Sequence, residues 1–207
     1  MMATRRARRG IIFIVSAPSG AGKTTISRAA LKSIAGLEAS ISLTTRAPRE
    51  GEADGVDYHF VSDEEFIRRR EAGELAEWAR VFDSGYGTPR APLERAVAEG
   101  RDLLLDIDIQ GARQLRQSYP TDTATIFVLP PSFAELEDRL RRRGTENEEA
   151  IQRRLKRARE EARAFPEYDY LLINDERDES LRLLAAIVAG ERLRVARLRA
   201  GFAPWKS

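Results

Sequence analysis

Four short apolar runs recur along the chain, with longer segments of mixed polarity between them. The runs are Ile11–Val15, Leu103–Ile107, Thr125–Leu129 and Tyr170–Ile173. Each run is continuous rather than alternating, which is typical of strands that are buried on both faces of a parallel sheet. The pattern therefore predicts strands at these four places.

The segments between the runs carry apolar residues at helical spacing. Helices are predicted over Lys23–Ile34 and Gln110–Ser118, over Glu135–Arg163 with a break near Gly144, and from about Glu179 to Arg199. Strands that alternate with helices indicate an α/β fold with a parallel sheet. One face of the last helix is predicted to consist of Leu181, Leu184, Ala185, Val188, Leu193 and Ala196.

Residues 40 to about 90 interrupt this alternation. The segment is rich in Thr, Gly, Asp and Tyr, with a strand-like piece at Tyr58–Val61 and a short helix near Asp63–Glu71. It is interpreted as an inserted lobe that consists mostly of β-structure. A second segment, Arg139–Arg159, is dense in charge, which favours a solvated, movable flap over a core helix.

The loop after the first strand has the composition of a phosphate-binding loop. The sequence from Ser16 to Thr25 reads SAPSGAGKTT and leads from a strand into a helix, as the G-x-x-x-x-G-K-[ST] motif requires. Backbone N–H groups of such a loop, together with the helix N-terminus, bind phosphate oxygens. The residues predicted to bind the nucleotide phosphates are Ala17, Pro18, Ser19, Gly20, Ala21, Gly22, Lys23, Thr24 and Thr25. The loop alone leaves an ATPase, a GTPase, a kinase and a transporter motor open. Ala17 stands where the strict motif has its first glycine.

Within this loop, Lys23 is predicted to reach the β- and γ-phosphates, and the Thr24 hydroxyl to bind Mg²⁺. Asp106 and Asp108 follow the second apolar run. On a strand they would project to the same side at its carboxyl end, where parallel sheets bind ligands. Asp106 is expected to hold Mg²⁺ through water and Asp108 a polar group of the acceptor. The alternative is that one of them caps the helix that follows.

Composition excludes several other kinds of site. The 207-residue chain has no cysteine and one histidine, so disulfides, thiol catalysis and Cys- or His-based metal sites are excluded. The net charge is only +2, and no apolar run is long enough to span a bilayer. The basic N-terminus is interpreted as a tail that leads into a core strand, and neither a nucleic-acid nor a membrane partner is expected. The predicted location is cytoplasmic.

The inserted lobe carries groups that suit a phosphorylated purine. Arg46 and Arg49 flank a proline and could converge on one phosphate, with Tyr58 and Tyr86 as additional donors. Glu77 lies in an apolar setting, where its carboxylate could accept both N1–H and N2–H₂ of guanine. The hydroxyl of Thr88 could meet guanine O6. Each of these residues taken alone also fits a surface salt bridge, packing or a solvated carboxylate.

Taken in order, these motifs resemble the guanylate kinase family across essentially the whole chain. The matching segments are residues 16–24, 44–49, Tyr58, Glu77, 86–88, 105–108, 143–144 and 173–175. The resemblance implies Mg-ATP and GMP as substrates, with Arg46, Arg49, Tyr58 and Tyr86 on the GMP phosphate. It further implies that guanine is read by Ser42, Glu77, Thr88 and Asp108. The catalytic cations would be Lys23 and the lid arginines Arg139, Arg143 and Arg154.

The resemblance also implies an organisation: a parallel-sheet P-loop kinase core with an inserted, mostly-β GMP-binding lobe and a helical lid. The predicted parts are a basic tail (1–10), core with the phosphate loop (11–39), GMP-binding lobe (40–95), core (96–134), lid (135–164), and core with the C-terminal helix (165–207). Leu43 and Gly85 depart from the residues expected in the family, and Pro89 fixes the backbone directly after Thr88. The sequence leaves open whether the protein forms a homo-oligomer.

Two other functions stay open from the residues. One is a P-loop kinase for another phosphomonoester, such as a ribose bisphosphate, which would have little use for Glu77 and Ser42 as base readers. The other is a non-catalytic module that grips a phosphorylated peptide. In such a module the phosphate loop is expected to have lost its phosphate-binding residues, whereas Gly22, Lys23 and Thr24 are present here.

Overall fold

A five-stranded parallel sheet forms the centre of the part of the chain described in the computed structural model, residues 8–81, 83–142 and 147–198. The strands are β1 (Ile12–Ser16), β2 (Leu37–Ala39), β3 (Leu43–Thr44), β4 (His59–Phe60), β5 (Leu75–Val81), β6 (Ser84–Pro89), β7 (Asp102–Asp106), β8 (Thr123–Leu129) and β9 (Tyr170–Ile173). The central sheet has the order β2-β7-β1-β8-β9. The four strands predicted from apolar runs are therefore confirmed, and they are adjacent in this sheet.

The helices lie between these strands along the chain. They are α1 (Lys23–Ser33), α2 (Asp63–Glu71), α3 (Arg90–Ala98), α4 (Ile109–Ser118), α5 (Phe133–Arg142), α6 (Glu148–Ala162) and α7 (Arg177–Leu193). Short 3₁₀ turns follow at Phe165–Glu167 and Val195–Arg197. Strands alternating with helices around a parallel sheet confirm the predicted α/β fold.

The core lies on both faces of β1, whose five residues are all buried. Successive side chains of a strand point to opposite faces. Phe13 and Val15 pack with α1 and α7, whereas Ile12 and Ile14 pack with α3 and α4. A strand covered in this way favours apolar residues along its length, which explains the unbroken runs in the sequence. The polar last residue, Ser16, donates its hydroxyl to the carbonyl of Ile107 at 3.0 Å.

The predicted lobe is a second, four-stranded sheet with the order β4-β3-β6-β5. Its own small core consists of Leu43, Phe66 and Leu75. Helix α2 spans the predicted residues and begins at a Ser62 side-chain cap, which accepts a hydrogen bond from the N–H of Glu65 at 3.2 Å. This lobe meets the central sheet where β5 packs on α4.

The C-terminal helix differs from the prediction in extent and in orientation. It ends at Leu193 rather than near Arg199, which lies outside the described residues. Leu193 is 79% exposed, whereas Glu191 is fully buried. Glu191 accepts hydrogen bonds from Tyr170 and Arg197, so a satisfied charge replaces an apolar residue at that point of the helix face.

The described part of the predicted N-terminal tail is bound to the core. Asp102, at the start of β7, is 1% exposed. Its two oxygens accept from Arg8 at 2.7 Å each, and its Oδ2 also accepts from Arg192 Nε at 2.8 Å. The N–H of Ile11 donates to the same carboxylate at 3.0 Å. Arg8 also forms an isolated antiparallel bridge with Leu198, so the two ends of the described chain meet here.

Candidate active site

The phosphate loop spans residues 17–22, between β1 and α1. Gly20 and Gly22 have φ values of 96° and 91°, which favour glycine. Asn174, just after β9, donates from Nδ2 to the carbonyl of Ala21 at 2.8 Å, and a Cβ on Gly22 would overlap this amide. The methyl of Ala17, which replaces the first glycine of the motif, packs against the core. The loop is thus shaped by its glycines and held in place by Asn174.

Lys23 lies at the first position of α1 and faces the end of β7. Its Nζ donates to the carbonyl of Ile107 at 3.2 Å and forms an ion pair with Asp106. Strand β7 lies beside β1, and Val15 is in register with Asp106. The topology therefore places the predicted phosphate-binding lysine and the predicted metal-binding carboxylate in direct contact.

The residues expected near Mg²⁺ fit a weakly enclosed metal. Thr24 is exposed in the first turn of α1, and Asp106 is partly exposed. Within residues 8–81, 83–142 and 147–198, no three His, Cys, Asp or Glu side chains are grouped so as to hold a metal ion. Mg²⁺ commonly binds proteins through one or two side chains, water and substrate phosphates, and these residues suit that arrangement.

Asp108 does not extend the strand, so the expectation that it projects beside Asp106 as a strand residue is wrong. Strand β7 ends at Asp106. Asp108 caps α4 instead: its Oδ1 accepts from the N–H of Gly111 at 2.9 Å. A carboxylate is a preferred N-cap because it satisfies an otherwise unpaired helical N–H. The alternative noted from the sequence is the observed arrangement.

Glu77, Thr88 and Asp108 come together between the lobe and α4. Glu77 is 3% exposed, and its Oε1 accepts from the Thr88 hydroxyl at 2.6 Å. Burial raises the pKa of Glu77 to about 7, opposed by the Thr88 hydrogen bond and reinforced by the negative charge of Asp108. The Thr88 proton is therefore engaged by Glu77, and the hydroxyl must rotate before it can donate to a base.

Arg46, Tyr58 and Tyr86 form a second cluster in the lobe. The rings of Tyr58 and Tyr86 are 6.0 Å apart, and the Arg46 guanidinium lies 5.5 Å from the centre of the Tyr58 ring. Glu52, which the sequence did not single out, accepts from Arg46 at 2.9 Å and from the Arg49 N–H at 2.8 Å. The hydrogen bond from the Arg49 N–H is the main reason why the pKa of Glu52 lies below its usual value. Burial opposes this effect, and the hydrogen bond and charge of Arg46 add to it.

The predicted lid consists of α5 and α6, which pack on each other through a small apolar cluster. Arg139 pairs with Glu135 at 2.8 Å, and Arg154 is half-buried on α6. Arg143, the third predicted lid cation, lies outside the described residues. A further lid residue, Glu161, reaches the phosphate loop: its Oε2 accepts from the N–H of Ser19 at 3.3 Å, and its Oε1 accepts from Arg157 at 2.7 Å.

Comparison with known proteins identifies the chain's relatives. The family profile described as guanylate kinase matches residues 9–191, which include the loop, the lobe and the lid. The chain belongs to the guanylate kinase family. A guanylate kinase of Zymomonas mobilis is 51% identical over 190 residues, 92% of this chain and 88% of that protein. One of Rhodopseudomonas palustris is 50% identical over 187 residues, 90% of this chain and 85% of that protein.

A solved structure agrees with this assignment. The crystal structure of guanylate kinase from Anaplasma phagocytophilum superposes with a TM-score of 0.79 at 35% sequence identity. The superposition covers 93% of this chain and 91% of the other. Both the fold and the family resemblance noted from the sequence are confirmed.

The two departures from the residues expected in the guanylate kinase family have packing explanations. Leu43 is fully buried in the core of the lobe. A Cβ on Gly85 would lie 2.9 Å from the Phe66 ring, so this ring takes the space of a side chain there. Pro89 ends β6 and precedes α3 as its N-cap. Of the described residues, none forms a helix that is both long enough and apolar enough to cross a membrane.

Proposed function

We propose that the protein transfers the γ-phosphoryl group of ATP, bound with Mg²⁺, to GMP, giving ADP and GDP. Family membership supports this guanylate kinase activity. The assignment of the site rests on the different neighbours of two carboxylates that are only two residues apart, Asp106 and Asp108. Asp106 contacts Lys23 of the phosphate loop, and Asp108 lies beside Glu77 of the lobe. Donor and acceptor sites would thus meet at the carboxyl end of β7, where parallel sheets commonly bind ligands.

The proposed acceptor site has two parts. Arg46, Arg49, Tyr58 and Tyr86 bind the GMP phosphate, because guanidinium and phenol groups are strong donors to phosphate oxygens. Ser42, Glu77, Thr88 and Asp108 bind guanine. Glu77 accepts from the base only in its ionised form, when both oxygens are acceptors. Glu52 holds Arg46 in place until the GMP phosphate takes over that contact.

The attacking oxygen of GMP is already anionic, so the reaction needs no general base. The chain contributes positioning and positive charge: Lys23 on the transferred phosphoryl group, with Arg139, Arg143 and Arg154 approaching as the lid closes. Thr24 and, through water, Asp106 would hold Mg²⁺, which neutralises phosphate charge when bound. Lid closure excludes water that would otherwise hydrolyse ATP. The proposed role is GMP recycling in the cytoplasm, within purine nucleotide metabolism.

A coupled assay of ADP release tests the function directly. The protein is given Mg-ATP with GMP, AMP, CMP or UMP in separate reactions. We expect fast release with GMP alone. Slow release with all four would contradict the proposal. A phosphomonoester kinase would then be sought with ribose bisphosphate as acceptor, and a binding module with phosphopeptides.

Glu77→Gln tests the guanine site. The amide keeps one acceptor but presents N–H₂ donors towards the donors of guanine, so we expect KM for GMP to rise by about 10- to 100-fold. The advantage of GMP over AMP should narrow by a similar factor, because AMP lacks the paired N–H donors. Thr25→Ala, in the exposed first turn of α1, is the comparison variant: it changes a residue proposed to bind ATP, and its GMP-to-AMP ratio of kcat/KM is compared with that of Glu77→Gln. An unchanged GMP-to-AMP ratio of kcat/KM would remove Glu77 from the base site.

The pH dependence of GMP use provides a second test of Glu77. Its pKa is raised to about 7, so the ionised, base-binding form is scarce below pH 7 and predominates above it. The ionised fraction of Glu77 rises about tenfold between pH values of about 6 and about 8, so we expect kcat/KM for GMP to rise about tenfold from this group alone. The GMP phosphate itself titrates near pH 6. Glu77→Gln should show only that smaller change, and identical profiles for both proteins would contradict the assignment.

A further inference from the structure

Helix α4 contacts strand β5 through Gly111 and Gln114, to which no role in GMP binding is assigned above. Gly111 lies three residues after Asp108, the N-cap of α4, and Gln114 three residues after Gly111, and residues three apart are neighbours on a helix. Strand β5 carries Glu77 and is one of the two outer strands of the lobe sheet. The carboxylate in the lobe is therefore next to a helix of the core.

Gly111 leaves room for the Glu77 carboxylate. Glycine in a helix is unfavourable relative to alanine, so its presence in the first turn of α4 needs a reason. Its φ is not positive, which means that backbone conformation does not require glycine here. A Cβ at this position would lie 2.9 Å from Cδ of Glu77 and closer still to Oε2. The space of the missing side chain is occupied by Glu77.

Gln114, one helical turn later, binds the backbone of the residue after Glu77. Its Nε2 donates to the carbonyl of Trp78 at 2.7 Å, and its Oε1 accepts from the Trp78 N–H at 3.1 Å. An outer strand leaves such groups unpaired unless something covers them. The Gln114 amide pairs with both groups as a neighbouring strand would, and so fixes β5 against α4 beside Glu77.

We propose that Gly111 and Gln114 are positioning residues of the base site, which hold Glu77 at the geometry that selects guanine. The proposal rests on the function proposed above. Gly111 provides the space for the carboxylate, and Gln114 fixes the strand that carries it. Because both belong to α4, guanine selection is set from the core rather than within the lobe alone.

Steady-state kinetics of Gly111→Ala, Gln114→Met and Gln114→Glu test this proposal. Met keeps the length of Gln but forms neither hydrogen bond, and Glu keeps the acceptor but loses the donor to Trp78. For all three variants we expect KM for GMP to rise about tenfold, since a displacement of 1 Å can cost up to about 100-fold. KM for ATP should stay within about twofold, because the phosphate loop is untouched. Gln117→Ala, at an exposed position of α4, is the matched control.

The titration of Glu77, followed by ¹³C NMR of the carboxyl group without nucleotide, separates this proposal from the proposed function. In wild type the carboxyl group should titrate near 7, where burial places its pKa. In Gln114→Met we expect a lower pKa, because a loosened β5 admits water to Glu77. If wild type does not use GMP, the function is wrong, and this shift still tests the positioning. Unchanged KM for GMP and unchanged Glu77 titration in Gln114→Met would overturn the proposal, whether or not Gly111→Ala folds.

Discussion

Lys23→Ala is expected to lower kcat by about 100- to 1000-fold, the range found when a group that stabilises developing charge is removed. Lys23 is the cation at the start of α1, and its ammonium group faces the end of β7. In the resting protein it is paired with Asp106. Under the proposed function, removal would have two effects that act together: the transferred phosphoryl group would lose its cation, and the Asp106 carboxylate would lose its partner close to incoming phosphates.

GMP binding should be largely retained in Lys23→Ala, because the residues proposed to bind GMP lie in the lobe and at the start of α4. Calorimetric titration with GMP checks this separately from turnover. Lys32→Ala is the matched control, since Lys32 is exposed in the last turn of the same helix. Near-wild-type turnover of Lys23→Ala would mean that the phosphate loop does not act as assigned.

Asp102→Asn is expected to destabilise the protein by roughly 3–5 kcal/mol, the cost of breaking a buried ion pair from one side. The substitution nearly preserves shape but removes the negative charge that Arg8 and Arg192 share. Arg8 is 5% exposed, so its guanidinium has little access to compensating water. The loss should reach the whole fold, since Asp102 begins a central strand and its carboxylate also holds the Ile11 N–H.

Urea unfolding followed by circular dichroism measures this effect. Arg182→Ala is the control, because its pair with Glu179 on α7 is exposed on both sides and contributes little. Activity per folded molecule should be unchanged in Asp102→Asn, since the ion cluster lies at the opposite end of β7 from Asp106. A midpoint equal to that of wild type would show that the two arginines find other partners.

The sequence predicted best those elements in which every residue meets the same physical requirement, such as burial. Strand β1 is covered on both faces, so its first four positions, Ile12 to Val15, are all apolar and the strand is visible as a run. Strand β2 lies at the edge of the sheet and has only three residues, Leu37–Ala39, which is too short for any pattern. Helix α3 was not predicted, although Leu93, Ala96 and Val97 have helical spacing and Gly100 follows the helix with a positive φ.

The sequence predicted which residues belong to the candidate site better than it predicted the contacts between them. The motifs named Glu77, Thr88 and Asp108, and the structure brings these three residues together. Which atom faces which could not be read from the sequence, which left open whether Asp108 continues the strand or caps the helix. Gln114 and Glu161 carried no signal at all. A glutamine that pairs with a distant strand is indistinguishable in sequence from one that faces solvent.

The hydrogen bond between Glu161 and Ser19 has a consequence for the affinity of the phosphate loop for a nucleotide. The phosphate loop already holds an anion, supplied by the lid, at one of its N–H groups. Under the proposed function, an ATP phosphate would replace the Glu161 carboxylate at the Ser19 N–H, so the net affinity for ATP would be the difference between these two interactions. The same exchange would release Glu161, near the end of α6, from its contact with the loop. Occupation of the loop and release of the lid from it would then be coupled.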